Sequence, residues 1–213
     1  STNSPLTHEW RNPEKHFYLP KAKPEVVELP KFNFVTISGT GNPNNPEFGE
    51  YIGALYAVSY AIKMNLKKFK TPPEGYKDYT VYPLEGIWDI SEEAKKNYNG
   101  KLDKDQLVFK IMIRQPNFVN EAIFDDMLSL AKKKKPNPVL NLVQFEPIAD
   151  GRCIQMLHIG SFDSEPISFA IMEEFAKNEQ LTRIEKTHRE IYLSDFRKVP
   201  NEKLKTVLRF KLD

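Results

Sequence analysis

The sequence of 213 residues has few of the features that metal and cofactor proteins carry. Its single cysteine, Cys153, excludes a disulfide framework and a thiolate metal cluster. The chain has no Walker loop and no GxGxxG, HExxH or GxSxG motif, and its four histidines lack the spacing of a metal site. We therefore expect neither a cofactor nor a bound metal.

An excess of charge of one sign and long apolar runs are also missing. The chain has 31 Lys and Arg against 29 Asp and Glu, a net charge of +2, whereas nucleic-acid proteins have a larger basic excess. The most apolar stretches, residues 52–62 and 107–113, are too short to span a bilayer. The first 17 residues show no signal-peptide pattern. These observations predict a cytoplasmic protein with no nucleic-acid or membrane partner.

Two halves of the chain share one order of predicted elements, in which a strand ending in glycine is followed by a helix and further strands. Residues 1–30 are rich in proline and predict an extended lead-in with little regular structure. Hydrophobic periodicity predicts strands at 32–39, 79–90, 107–114, 139–146, 152–159, 188–194 and 204–212, and helices at 47–66, 120–135 and 166–178.

This repetition predicts an α+β fold. A βαββ unit leaves its sheet half covered, and pairing two units buries the open face. We expect one domain over residues 31–213, built from two repeats at about 32–115 and 152–213. The two antiparallel sheets would lie side by side, with helices on one face and a ligand cleft at the seam.

The segment HREIYLS at 188–194 contains the most suggestive polar residues. By alternation, Glu190 and Tyr192 share one face of the predicted strand, and Ile191 shares the other with Leu193. We expect the apolar side to face the helices, and Glu190 to point outward or line the seam. Alternation alone favours a solvated strand face. A carboxylate between aromatic rings would instead recognise a cation or transfer a proton, because desolvation raises its pKa.

Aromatic residues form 12% of the chain, which suits either a filled core or a pocket for flat ligands. Trp88 lies on a strand that Gly86 bends, and Tyr56 and Tyr60 lie four residues apart on a predicted helix. Such a tyrosine stripe is more often core packing than part of a ligand site. The lysine run at 132–135 is best explained as the solvated end of a helix, where cations complement the dipole.

The segments QMLHIGSFDSEP (155–166) and REIYLSDFRKVPNEKLKTVLRFKL (189–212), with the duplicated plan, resemble the GyrI-like small-molecule-binding domain. That fold also serves as the effector-binding domain of multidrug-responsive regulators. HEWR, EKHFYLPKAKP, GNPNNPEF and YTVYPLEGIWD resemble its stand-alone subfamily, described as cyclopropanoid cyclopropyl hydrolases. The resemblance extends from about residue 8 to residue 213.

The resemblance implies an aromatic cage with a glutamate at its centre. The EIYL motif assigns the central, catalytic glutamate to Glu190, and we assign the substrate-binding rings to Trp88, Tyr56, Tyr60 and Tyr192. The implied activity is the addition of water to cyclopropane-bearing, DNA-alkylating natural products, which would be a form of xenobiotic detoxification. The implied ligand is a hydrophobic, planar small molecule.

Three alternatives stay open at this point. The first alternative is a non-catalytic module that sequesters planar or cationic drugs. In such a module, Glu190 would supply only a negative charge, and the rings would make cation–π contacts. The second alternative, suggested by the family name, is a protein-interaction domain such as a gyrase partner. Haem binding through His158 or His188 has weaker support, because each is an ordinary strand residue in the predicted pattern.

Overall fold

The computed structural model describes residues 7–213, and within that range it contains five helices and eight strands. The helices are α1 (Lys15–Tyr18), α2 (Pro46–Leu66), α3 (Glu92–Lys96), α4 (Glu121–Lys134) and α5 (Glu165–Asn178). The strands are β1 (Glu25–Leu29), β2 (Phe32–Thr40), β3 (Leu84–Ile90), β4 (Leu107–Gln115), β5 (Gln144–Ile148), β6 (Gly151–Ile159), β7 (His188–Tyr192) and β8 (Lys205–Lys211). This content confirms the α+β class. None of the helices in the described range has the length and apolar character needed to cross a membrane.

The chain forms two compact units, each assembled from separate stretches of sequence. Unit 1 comprises residues 7–9, Phe32–Tyr82 and Asp89–Ile148. Unit 2 comprises Trp10–Lys31, Pro83–Trp88 and Ala149–Asp213. The order strand–helix–strand–strand occurs along the chain as β6-α5-β7-β8, and also as β2-α2-β3-β4 with the short helix α3 inserted between β3 and β4. Most of β3 nevertheless belongs to unit 2, where it pairs with β7.

Unit 1 is a small antiparallel sheet covered by α2 and α4. Strand β2 lies between β4 and β5, and Val35 lies opposite both Ile113 and Phe145. Helix α4 begins where the side chain of Asn120 accepts a hydrogen bond from the Ile123 N–H at 2.9 Å. One stripe of α2 at helical spacing is buried, which explains the amphipathic pattern of its sequence: Ile52, Leu55, Ser59, Ile62 and Leu66.

Unit 2 is an antiparallel sheet in the order β1-β6-β8-β7-β3, and α5 packs against it. Its apolar core joins the sheet to the helix through residues of β6, α5 and the C-terminal strand: Ile154, Met156, Met172, Ala176, Leu208, Phe210 and Leu212. Gly160 follows directly after β6, and its φ of 136° turns the chain toward α5. This turn places the first residue of α5 against the sheet.

Three segments differ from the prediction. The strand expected from residue 79 begins only at Leu84, after Pro83, which has no N–H to give to a strand partner. The strand expected at 139–146 begins at Gln144, because Pro138–Leu142 forms a short 3-10 turn. The lead-in is more ordered than its prolines suggest, since α1 forms there and β1 pairs with β6. Its first six residues lie outside the described residues.

The turn at Gly160 provides a test of the fold of unit 2. A Cβ at this position would lie 3.0 Å from Ser164 Oγ, and the positive φ is unfavourable for any L side chain. We expect Gly160→Ala to lower the free energy of unfolding by about 1–3 kcal/mol, measured by urea denaturation. Gly53→Ala is the matched control, because its Cβ meets nothing within 4 Å on an exposed helix face. It should raise stability by about 0.5–1 kcal/mol, and equal effects of the two changes would contradict the account.

Candidate functional site

Strand β7 places Glu190 on the side of the sheet that α5 covers. Glu190 lies opposite Leu208 of β8, and paired residues of neighbouring strands project to the same face. Leu208 belongs to the same core cluster as Met172 of α5. The expectation that the side of Ile191 would face the helices is therefore wrong. Alternation separates the two faces of a strand without showing which one a helix covers, and both faces of β7 are buried.

Glu190 is 7% exposed, and hydrogen bonds from neighbouring side chains fix the orientation of its carboxylate. The Tyr192 hydroxyl donates to Glu190 Oε1 at 2.8 Å, and Trp88 Nε1 donates to the same hydroxyl at 2.8 Å. His188 Nε2 lies 3.0 Å from Glu190 Oε2. Strand pairing between β3 and β7 brings Trp88 opposite His188, although they are far apart in sequence. The structure thus brings together three of the predicted site residues.

A second carboxyl group, Glu165, contacts Glu190. Glu165 is the first residue of α5, is 5% exposed and hydrogen-bonds to Glu190. Its Oε2 atom is buried and receives no hydrogen bond from another group. Two ionised carboxylates at hydrogen-bond distance in a buried site would repel each other strongly, so the pair holds one proton.

The environment decides which carboxyl group carries that proton. Burial and the negative charge of Glu190 raise the pKa of Glu165 well above its ordinary value. Burial also opposes ionisation of Glu190, but hydrogen bonds from Glu165, His188 and Tyr192 lower its pKa below the ordinary value. Glu165 is therefore the protonated donor, and Glu190 the ionised acceptor. Burial and the same negative charge raise the pKa of the Tyr192 hydroxyl, which stays a donor.

Three phenylalanine rings that the sequence pattern did not indicate pack against the residues that contact Glu190 or against one another. Phe162 packs edge-on against Tyr192 with centroids 5.9 Å apart, and Phe196 lies 5.3 Å from Tyr192 and 5.7 Å from Phe162. Phe169 of α5 packs edge-on against His188 at 4.6 Å. All three phenylalanines are only half-buried. The exposed surface of these half-buried rings is suited to stacking against a flat, hydrophobic ligand.

The other two predicted cage residues lie on α2 in unit 1. Tyr56 and Tyr60 stack on each other with centroids 6.3 Å apart, as their spacing predicts. Tyr60 is 46% exposed. Their part in the cage stays a prediction.

The opposite face of β7 carries a buried ionic cluster. Arg189 donates to Asp150 at 2.8 Å and to Glu85 at 3.1 Å. Burial opposes ionisation of Asp150, but the charge and the hydrogen bond of Arg189 hold its pKa below the ordinary value. Because Glu85 lies on β3 and Arg189 on β7, the pair ties together the two strands that carry Trp88 and Glu190.

The site also contains atoms that could ligate a metal. Within the described part of the chain, Glu165, His188 and Glu190 bring three such atoms within 4.8 Å of one another. Both oxygens of Glu190 already accept hydrogen bonds, however, so this donor set fits a proton better than a divalent ion. His158, a weaker candidate for haem, has both ring nitrogens engaged, with Ser168 Oγ at 2.7 Å and the Ser161 carbonyl at 2.9 Å.

Comparison with known proteins gives matches that extend over most of the chain. Residues 22–213 match the family described as the GyrI-like small molecule binding domain. Two hydrolases from Listeria innocua are 35% and 36% identical to this chain, with TM-scores of 0.85 and 0.87. An uncharacterized conserved protein from the same organism is 37% identical, with a TM-score of 0.85. Each comparison covers 97% of this chain and 100% of the other. Comparison with curated proteins gives no match.

The ionic cluster predicts a pH dependence of stability. A carboxyl group whose pKa is lowered by folding stabilises the protein above its unfolded pKa, and this contribution is lost as pH falls through the folded pKa. We expect Asp150→Asn to lower the free energy of unfolding by about 2 kcal/mol at pH 7. The difference from wild type should shrink as pH falls below about 4. Asp125→Asn, at an exposed position, is the control. If the difference in unfolding free energy between Asp150→Asn and wild type did not depend on pH, the lowered pKa of Asp150 would be contradicted.

Proposed function

Because the chain belongs to the GyrI-like small-molecule-binding family, we propose that it binds planar xenobiotics and hydrolyses cyclopropane-bearing, DNA-alkylating natural products. The buried pair of Glu165 and Glu190 carries this proposal, since it combines a base and a neutral acid beside aromatic rings. The Listeria innocua hydrolases, similar over nearly the whole chain, support hydrolysis as the type of reaction.

The substrate is a cyclopropane joined to a conjugated dienone, whose strain and conjugation make it reactive. Ionised Glu190 takes a proton from a water molecule while the water oxygen bonds to the outer ring carbon. The carbon–carbon bond of the three-membered ring breaks, and its electron pair moves through the conjugated system to the carbonyl oxygen. The resulting phenolate takes a proton from solvent, and the product differs from the substrate by one water molecule.

The neighbours of Glu190 serve this step in different ways. Tyr192 and Trp88 fix one oxygen of the carboxylate, which limits the positions that the attacking water can take. Protonated Glu165 keeps the pair at a single negative charge, so Glu190 stays ionised in a buried site. His188 is more exposed than Glu190 and contacts its other oxygen, which suits a route for the accepted proton to reach solvent.

The aromatic cage would hold the substrate by stacking and desolvation. Trp88 and Tyr192 line it next to the carboxylate, and Phe162 and Phe196 extend it. Tyr56 and Tyr60, on α2 of unit 1, stay predicted members of the cage. The faces of these rings are suited to a polycyclic ligand, and burial of the ligand between them limits the access of bulk solvent to the reacting carbon.

A non-catalytic sequestering module is the second candidate function, and a specific observation favours it. A buried ionised carboxylate next to aromatic rings is also a receptor for a planar cation. The two candidates differ in one property: a hydrolase leaves a product that is heavier by one water, whereas a sequestering module returns its ligand unchanged.

The role of Glu190 is tested by Glu190→Gln, which keeps the shape of the side chain but removes the base. With a duocarmycin-type cyclopropane compound, we expect turnover to fall about 10²–10⁴-fold. Turnover is measured by mass spectrometry as the gain of one water, and binding, measured by tryptophan fluorescence, should change much less. Glu174→Gln, on the exposed side of α5, is the matched control. Undiminished turnover by Glu190→Gln would exclude the base, and binding by wild type without turnover would favour sequestration.

The carboxyl pair also predicts the pH profile of kcat/KM. Activity needs ionised Glu190 and protonated Glu165, so it should fall on the acidic side as Glu190 gains a proton. It should fall on the alkaline side as Glu165 loses its proton. Glu165→Gln keeps an N–H donor that cannot ionise, so the alkaline fall should disappear. Glu165→Ala removes the hydrogen-bond donor and should lower kcat at all pH values. If the alkaline fall in activity were unchanged in Glu165→Gln, a group other than Glu165 would be responsible for that fall.

A further inference from the structure

Unit 1 contains a groove that none of the described residues in contact with Glu190 lines, although it includes Tyr60, one of the rings predicted for the cage. Helices α2 and α4 and the turn after α4 border an open groove with a volume of about 820 Å³. This is within the range of small-molecule sites. Its lining consists of Glu50, Gly53, Ala54, Ala57, Tyr60, Ala61, Met64, Asn65, Lys68, Leu130, Ala131, Lys133, Lys134, Lys135, Asn137 and Leu140.

The floor of the groove is apolar and elongated. Gly53, Ala57 and Ala61 recur every four residues of α2 and so form one flat strip along the helix. Tyr60 and Met64 border this strip with 46% and 47% of their surface exposed. At the rise of an α-helix, the part of α2 that lines the groove, from Gly53 to Asn65, is about 18 Å long. A strip of this shape suits an extended apolar chain.

The charge of the groove has one dominant sign. Lys68, Lys133, Lys134 and Lys135 line it against a single acidic residue, Glu50. Across residues 7–213, none of these four lysines forms an ion pair with a carboxylate. The dipoles of α2 and α4 both favour cations at their C-terminal ends, and Lys68 and the three lysines at the end of α4 line the same groove, so four positive charges collect beside it.

We propose that this groove binds a long-chain anionic amphiphile, of which a fatty acid is the simplest example. The alkyl chain lies along the strip of small residues on α2, and the anionic head meets the lysine ammonium groups. The lysine rim disfavours the planar cations that the Glu190 site suits, so the two sites select opposite charges. This inference does not depend on the hydrolase proposal, because its test measures binding of a different ligand.

The ligand class is tested by titrating the full chain with oleate below its critical micelle concentration, using isothermal titration calorimetry. Oleyl alcohol and oleylamine are the controls for head charge. We expect oleate to bind with one-to-one stoichiometry, and the alcohol and the amine to bind at least about tenfold more weakly. Equal binding of all three compounds would overturn the proposal, because the lysines would then play no part.

Two pairs of variants locate the site. Gly53→Phe fills the groove, whereas Gly49→Phe adds the same ring to the same helix outside it, and a Cβ meets nothing within 4 Å at either position. Reversing the charge of Lys133, Lys134 and Lys135 to Glu removes the rim, and the same change at the exposed Lys23, Lys177 and Lys203 is its control. We expect oleate affinity to fall about tenfold in the groove variants only. Circular dichroism verifies that each variant is folded.

Three results would overturn the proposal. The first is that Gly53→Phe and the charge-reversed variant both bind oleate as tightly as the wild-type protein does. The second is binding to anionic phospholipid vesicles without binding of monomeric oleate, which would make the groove a membrane-docking surface. The third is a concentration-dependent dimer that Gly53→Phe abolishes, without oleate binding, which would assign the groove to a second copy of the chain.

Discussion

One proton shared by two buried carboxyl groups determines the chemistry of unit 2. Glu165 and Glu190 hydrogen-bond to each other and are almost fully buried. The two carboxyl groups therefore cannot both be ionised, and the proposed reaction requires that they are not both neutral. Two ionised groups would repel each other, and two neutral groups would leave no base. The hydrogen bonds from Tyr192 and His188 break this symmetry, because they stabilise the ionised form of Glu190 alone. The protein therefore keeps the Glu190 carboxylate ionised although its side chain is almost fully buried.

The surrounding fold maintains that arrangement from both sides of β7. On the α5 side, the turn at Gly160 places Glu165 at the start of the helix, directly over the strand. On the opposite side, Arg189 links Glu85 and Asp150, and so keeps β3 beside β7. Removal of Arg189 would leave the carboxyl groups of Glu85 and Asp150 buried without this partner, which is strongly destabilising. The catalytic proposal thus depends on polar contacts that also stabilise the fold.

Sequence patterns predicted much of this architecture because most elements bury one regular face. The stripe on α2, the strand β4 and the helix α5 follow directly from hydrophobic periodicity, and the EIYL motif pointed to Glu190. Glu165 was missed because an acidic residue in the first turn of a helix is common and complements the dipole. The hydrogen bond from Trp88 to Tyr192 joins residues 104 positions apart. It forms because β3 lies next to β7 in the sheet, and sequence patterns did not indicate this strand order.

The state of the carboxyl pair can be observed directly by ¹³C NMR titration of the glutamate side chains, with Glu165→Gln and Glu190→Gln used for assignment. An isolated glutamate titrates at about 4.3. The account predicts that one of the two carboxyl carbons titrates well above that value, and that the other stays ionised well below it. If both carbons titrated together near the ordinary value, the pair would not share a proton, and the proposed division into base and neutral donor would be contradicted.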